Sequence, residues 1–310
     1  MKNANVSTNR PSSKPASSQG PILWAIDPTE TGVRPNPAAL EILSRCAGEG
    51  SRTILPLYIV ASASQKEGAQ REAAAYVQDL GGVRVGPVQA LVAGSDTRRG
   101  AVESLLGVAA EREAPCIAVS SHGRSGPSRW FLGSFAERLL EASPIPILFL
   151  SRGGSGVAPE PTMLFATDFS ARSRAAFDAA LTFAKQAGLK VILYYESTIP
   201  VIAAGDLGMS GIPAALPADY LETQRDWAVE QGAAWASGAA ALGVPVEVEV
   251  QVGGFNVAGG ILNMAARRKV AVIAMASTSS LLSRALMGGV TREVFREGTC
   301  PVWLYGPGIR

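Results

Sequence analysis

Histidine is almost absent from this chain. The one copy among 310 residues is His122. A histidine-based metal cluster or a mixed cysteine–histidine metal site is therefore excluded. Cysteine is scarce as well, with Cys46, Cys116 and Cys300 far apart and no C-x-x-C pair. That spacing argues against a disulfide framework and for a reducing, cytoplasmic setting with three buried small residues. Charge of one sign is missing too. The net charge is +2 and no Lys/Arg run occurs, so no broad attraction to nucleic acid is expected. No apolar run approaches the roughly 20 residues of a membrane span. The N-terminal stretch MKNANVSTNRPSSKPASSQG is polar and lacks the apolar core of a signal peptide, so residues 1–20 read as a disordered tail. Aromatics make up 6%, and the five tryptophans are scattered, which suits core positions better than a base-stacking platform.

Hydrophobic residues, by contrast, reach 47%, against 17% charged. That balance suits an α/β protein with a buried sheet. The chain also repeats itself. PILWAID, ending at Asp27, resembles PTMLFATD, ending at Asp168. LYIVAS (57–62) resembles LYYES (193–197), and LGSFAERLLEASPIPILFLS resembles MGGVTREVFREGTCPVWLYG. The matches keep their order, which argues a duplicated domain. Each half alternates short apolar runs with helical periodicity. Runs such as CIAVS and AVIAMA lack clean alternation, as strands buried on both faces do. In GAVESLLGVAAERE the residues Ala101, Leu105, Leu106 and Ala109 can share one helix face. Strands alternating with helices predict parallel sheets with helices on both faces. The expected division is a tail over 1–20, a first domain over 21–152, a linker over 153–160 and a second domain over 161–310. The insertion Thr198–Tyr220 has no counterpart in the first half and reads as a lid or as a packing arm.

The chemistry is concentrated in VSSHGRSGPSRWFLGSFAERLL (119–140), which carries Gly123, Gly126 and Gly133 after an apolar run and then opens a helix. In an open α/β sheet, ligands sit beyond the carboxyl ends of the strands where the strand order reverses. A helix start offers free N–H groups and a positive dipole end, and glycine lets a phosphate approach the backbone. Ser134 can donate its hydroxyl to a ligand or cap the helix, while Arg124 and Arg129 can add charge. The plain reading of Gly133-Ser134 is a helix cap, and both readings stay open here. His122 has no acid or base beside it in sequence, so a loop-organising or ligand-contact role fits it better than proton transfer. No G-x-x-x-x-G-K-[ST] occurs, which excludes a P-loop enzyme. SRGGSG at Ser151 follows the last strand of the first half and belongs to the linker.

These residues resemble the universal stress protein family in a tandem arrangement, over about 21–306. Nucleotide-binding members carry G-x-x-G-x9-G-[ST] after their fourth strand and an aspartate after the first. Here Ser120-x-x-Gly123 is followed by nine residues and then Gly133-Ser134. The resemblance implies two Rossmann-like domains, each a five-stranded parallel sheet of order 3-2-1-4-5. It implies an adenine nucleotide, ATP with or without Mg2+, held mainly in the first half. Asp27 would lie near the nucleoside after Ala25. Ser120, His122 and Arg124 would sit beside ribose or phosphates, Gly123, Gly133, Ser134 and Phe135 would present backbone groups, and Val60 would line the adenine pocket. Ser120 departs from the family's first glycine, where a Cβ could crowd the ribose. In the second half the pattern decays to IAMASTSSLLSRALMGG, leaving Asp168, Ala276, Gly288, Gly289 and Val290 as a degenerate counterpart. The resemblance also implies that the last strands of the two halves pair within one molecule, and it is compatible with a further homodimer and an unknown protein partner. The rival readings are a nucleotide-free interaction scaffold and a slow ATP hydrolase.

Overall fold

The fold is taken from a computed structural model that describes residues 20–27, 35–48, 52–80, 84–95, 98–120, 134–151, 159–198, 219–277 and 289–309. Outside these lie the expected tail, most of the linker and of the 198–220 insertion, the loop after Asp27, Trp130, and the motif residues His122, Gly123, Arg124, Arg129, Gly133 and Gly288.

The first half contains β1 (Ile22–Ala25), α1 (Pro37–Ala47), β2 (Ile54–Val60), α2 (Lys66–Leu80), β3 (Gln89–Val92), α3 (Arg98–Glu111), β4 (Ile117–Ser120), α4 (Ser134–Ala142) and β5 (Ile147–Leu150). The second contains β6 (Glu160–Thr167), α5 (Ala171–Ala187), β7 (Lys190–Thr198), α6 (Tyr220–Ala240), β8 (Val246–Gly254), α7 (Val257–Arg267), β9 (Val270–Ala276), α8 (Gly289–Glu297) and β10 (Val302–Tyr305). All strands join one ten-stranded sheet of order β3-β2-β1-β4-β5-β10-β9-β6-β7-β8. Each half thus has the order 3-2-1-4-5, and within each half every pair is parallel. The halves meet where β10 runs antiparallel to β5, with Trp303 opposite Leu148. Pro146 and Pro301 stand just before these two strands, where a missing N–H costs the ladder little.

Central strands read as unbroken apolar runs because both faces are covered. Ile117–Ser120, Ile147–Leu150 and Val302–Leu304 are buried throughout. One face packs α1, α2, α5 and α6 over Trp24, Ala118, Phe165 and Trp303. The other packs α3, α4, α7 and α8 over Leu23, Val119, Phe149 and Ile273. In α3 the buried stripe is Val102, Leu105 and Ala109, so Val102 takes the place expected of Ala101, which is half-buried. Both spacings suit a helix face, but at about 100° per residue Val102 lies nearer the middle of the Leu105–Ala109 stripe and Ala101 at its margin.

The seam between halves is packed as a core is. The Phe149 ring meets Phe295 of the other half edge-on at 5.2 Å. Arg52 donates to Gln186 Oε1 at 2.6 Å across the same seam. Asn36, the N-cap of α1, reaches Thr299 O at 3.5 Å. Antiparallel pairing of β5 with β10 removes two exposed edges and leaves β3 and β8 as the outer ones.

Candidate functional site

In each half the chain winds outward over three strands and then returns, so β1 lies beside β4 and β6 beside β9. These are the points where strand order reverses, and their carboxyl ends form a crevice.

In the first half, Ala25 pairs with Leu57 on one side and Val119 on the other. Asp27, two residues on, therefore stands above β1 with the end of β4 beside it. Ala25 is buried on the α3/α4 face. Val60 closes β2 and is buried against Ala69 and Ala90. Ser120 ends β4 at 6% exposure. Its hydroxyl accepts a hydrogen bond from Trp24 Nε1 at 3.3 Å. The side chain that replaces the motif's glycine is therefore turned into the core on the α1 face. Nor is it among the described non-glycine residues with positive φ, which are Glu113, Phe169 and Lys269. Alpha-4 then begins at Ser134, with Phe135 half-buried against the α3/α4 cluster. The nine residues between the glycines fall outside the described residues, as do His122, Gly123, Arg124 and Gly133.

Alpha-1 is tied to this crevice by its cap. Asn36 Oδ1 accepts from Ala39 N at 2.6 Å, and Nδ2 donates to Ser151 Oγ at 3.0 Å. The backbone N–H of Asn36 also donates to Ser151 O, at 3.1 Å. One amide side chain thus fixes the helix start to the end of β5.

The second half spends its crevice differently. Asp168 Oδ1 accepts from Ser170 N at 3.0 Å and from Ser173 Oγ at 2.5 Å. Burial pushes its pKa up, but the hydrogen bonds from Ser173 and Ser170 outweigh it and leave the carboxyl below the usual range. This aspartate is engaged with the start of α5. Next in chain, Phe169 adopts a left-handed φ of 56°, a conformation that costs a non-glycine residue about 1–2 kcal/mol. Its ring is stacked 5.2 Å from Tyr195 and meets Trp227 and Trp235 edge-on. Such aromatic pairs offset the strain. Arg172, in the first turn of α5, donates Nε to Ser277 O at 3.2 Å and Nη2 to Gly306 O. Its guanidinium also lies 5.5 Å from the Tyr305 ring centre. One arginine thus bridges the chain leaving β9 and the chain leaving β10. Ala276, paired with Tyr305, is half-buried beneath it. Gly289 opens α8 with open space where a Cβ would stand, and Val290 is exposed. The sequence did not flag Arg172 or Phe169, because their partners lie on other strands and no local motif marks them.

Among the described residues, no group of three or more His, Cys, Asp or Glu side chains could hold a metal ion. No helix among them is long and apolar enough to cross a membrane. Burial raises the thiol of Cys116 to about 12 and that of Cys300 to about 11, so neither is a ready nucleophile.

A doubly wound parallel sheet, duplicated in tandem, with an aspartate after each first strand and a glycine-bearing connection before each last helix, defines a Rossmann-like fold class. The universal stress protein family pattern matches residues 22–151 and again 161–306. The chain therefore belongs to the universal stress protein family, with two copies of its domain. Among solved structures it is similar to a universal stress protein from Archaeoglobus fulgidus DSM 4304, at 18% identity and a TM-score of 0.57, covering 92% of this chain and 98% of that one. It is similar also to a putative universal stress protein from Pseudomonas aeruginosa UCBPP-PA14, at 16% identity and a TM-score of 0.57, covering 93% of each. At these identities the likeness is one of fold. No curated protein matches the chain.

Proposed function

We propose that this protein is a stress-response regulator that binds ATP or a related adenine nucleotide in its first half. The observation that carries the reading is the inward turn of Ser120. Its hydroxyl is engaged by Trp24 on the α1 face, so the one departure from the family motif need not crowd a ribose. Asp27 follows β1, the neighbour of β4, and Val60 ends β2, the next strand outward. Adenine is assigned to the side of Val60 and ribose to Asp27 and Ser120. The phosphates are assigned to Gly123, Gly133, Ser134 and Phe135, with His122 and Arg124 beside them, at the dipole end of α4. Mg2+ would accompany the phosphates from solvent, since no described acidic cluster offers to hold it.

In the second half the committed Asp168, the Arg172 bridge and the Phe169 aromatic group favour a crevice that serves structure rather than ligand. Pairing of β5 with β10 supports reading the chain as a covalent pseudo-dimer with one active half. Its signalling output would be a change in partner affinity when nucleotide binds.

The test is direct. The purified protein is denatured, and any released nucleotide is identified by chromatography and mass spectrometry. ATP with magnesium is then titrated into wild type and Gly133→Asp. A carboxylate at the phosphate position should lower affinity at least about tenfold, equivalent to about 1.4 kcal/mol. Absence of bound nucleotide together with absence of binding heat would sink the reading.

A further inference from the structure

A second concave site lies away from both crevices. Alpha-7, the end of β7 and the turn from β8 into α7 line an open cavity of about 390 Å³, within the range of about 300–1,000 Å³ typical of small-molecule sites. Neither Asp168, Ala276, Gly289 nor Val290 lines it.

Two opposite charges face this cavity without an ionic partner among the described residues. Glu196, near the end of β7, is half-buried, and its Oε2 accepts from Tyr194 Oη at 2.6 Å. Its carboxylate presses on the backbone of Gly254 and Gly260, so that a Cβ at either position would strike its oxygens. Gly254 and Gly260 therefore make room for this carboxylate. Arg267, in the last turn of α7, donates Nη2 to Met264 Sδ at 3.3 Å, and a thioether is a weak acceptor. Its neighbour Arg268 has taken both acidic side chains of β8, reaching Glu247 and, at 2.9 Å, Glu249. Tyr194 senses both unpaired charges. After burial, which raises its pKa, Glu196 raises it further and Arg267 opposes them.

The remaining walls narrow the ligand. Asn263 and Gln251 contribute amides, while Met264 and the fully exposed ring of Phe255 contribute apolar surface. Asn256 is already committed, donating to Glu293 and accepting from Ala258 N. Glu196 opposes a phosphate or nucleotide. Arg267 opposes a simple amine or a metal ion. A ligand carrying an ammonium and a carboxylate together satisfies both, and it supplies the cation that a half-buried carboxylate lacks.

We infer that this pocket binds a small zwitterion, a free α-amino acid with an aliphatic side chain. Its ammonium sits on Glu196, its carboxylate on Arg267, and its side chain lies along Met264 and Phe255. The site is separate from the nucleotide reading and stands or falls without it.

The experiment is calorimetric titration of L-leucine into the full chain, beside isopentylamine and 4-methylpentanoate, which each keep one charge. Leucine should saturate, and each single-charge probe should bind at least about tenfold more weakly, a difference of about 1.4 kcal/mol. Glu196→Gln and Arg267→Gln should each weaken leucine by a similar factor. Arg267 is exposed, so its variant keeps the fold even where a change at Glu196 disturbs packing. Gly133→Asp should leave leucine binding unchanged. No saturable heat up to about 10 mM leucine would overturn the inference, since this is weaker than the millimolar range of small-ligand sites. So would equal binding by either single-charge probe, or leucine affinity unmoved in both variants.

Discussion

The two halves share a strand order and differ in what stands above it. In the first, the residue ending β4 bonds inward to Trp24, and the helix cap Asn36 holds the end of β5 and reaches Thr299 O. In the second, Arg172 reaches from α5 to the chain beyond β9 and to that beyond β10, and Asp168 is bonded to the serines that start the same helix. A duplicated fold can thus keep its sheet and convert one crevice into a clasp. The difference lies in a few polar side chains, while the packed layers beneath are common to both halves.

The largest expected effect would break the frame that makes the comparison meaningful. Trp303 is 1% exposed at the seam, opposite Leu148. Trp303→Ala should cost about 3–5 kcal/mol, as large-to-small core changes do, read as a lower urea midpoint. Trp303→Phe should cost less than Trp24→Phe, because the Trp303 indole N–H is buried with no partner among the described residues whereas that of Trp24 donates to Ser120.

Arg172→Met should next open the second clasp. It removes charge-assisted bonds to two backbone carbonyls, worth about 1.5–3 kcal/mol. The same measurement on Asn36→Ala should show a cap loss of about 1 kcal/mol. If the two changes cost the same, the crevices are held alike and the contrast fails.

Ser120→Ala should cost about 1 kcal/mol by leaving the Trp24 donor unsatisfied, with ATP affinity little changed because the hydroxyl faces inward. A large loss of ATP affinity with unchanged stability would instead put that hydroxyl on the ligand.

The smallest effects are in pH dependence, and they have opposite signs. Asp168 titrates below its unfolded value near about 3.9. Its contribution is present above that value and is lost as pH falls through the lower folded one. Glu196 is pushed up by burial, with the Tyr194 hydrogen bond opposing. Its contribution is present below about 4.3 and is lost as pH rises through the folded value. The stability difference between wild type and Asp168→Asn should therefore shrink in acid, whereas Glu196→Gln, which keeps the neutral form, should gain on wild type as pH rises toward neutrality. Thermal melts across pH 3–7 read both.

Much of the fold was legible because it is written locally. Apolar runs such as Ile147–Leu150 mark strands buried on both faces, and the repeated order of motifs marks the duplication. Ser120 was legible as the end of β4, whereas β1 ends at Ala25, two residues before Asp27. What was not legible depends on pairs far apart in the chain. Trp24 meets Ser120 across 96 residues, and Arg172 meets Ser277 across 105. The α7–β7 pocket was hidden for the same reason, since Glu196 and Arg267 come to line one cavity only when α7 packs on β7. Val102 replaced Ala101 in α3 because a one-residue phase error is small on a helix whose sequence is rich in alanine and glycine on several faces.

The central claim is that one half of this chain binds nucleotide and the other does not. Native mass spectrometry of the intact protein titrated with ATP and magnesium tests it most directly. Saturation is expected at about one nucleotide per chain, in line with the single proposed site, abolished by Gly133→Asp and untouched by Gly289→Asp. Saturation at two per chain, or loss of the bound nucleotide in Gly289→Asp alone, would contradict it.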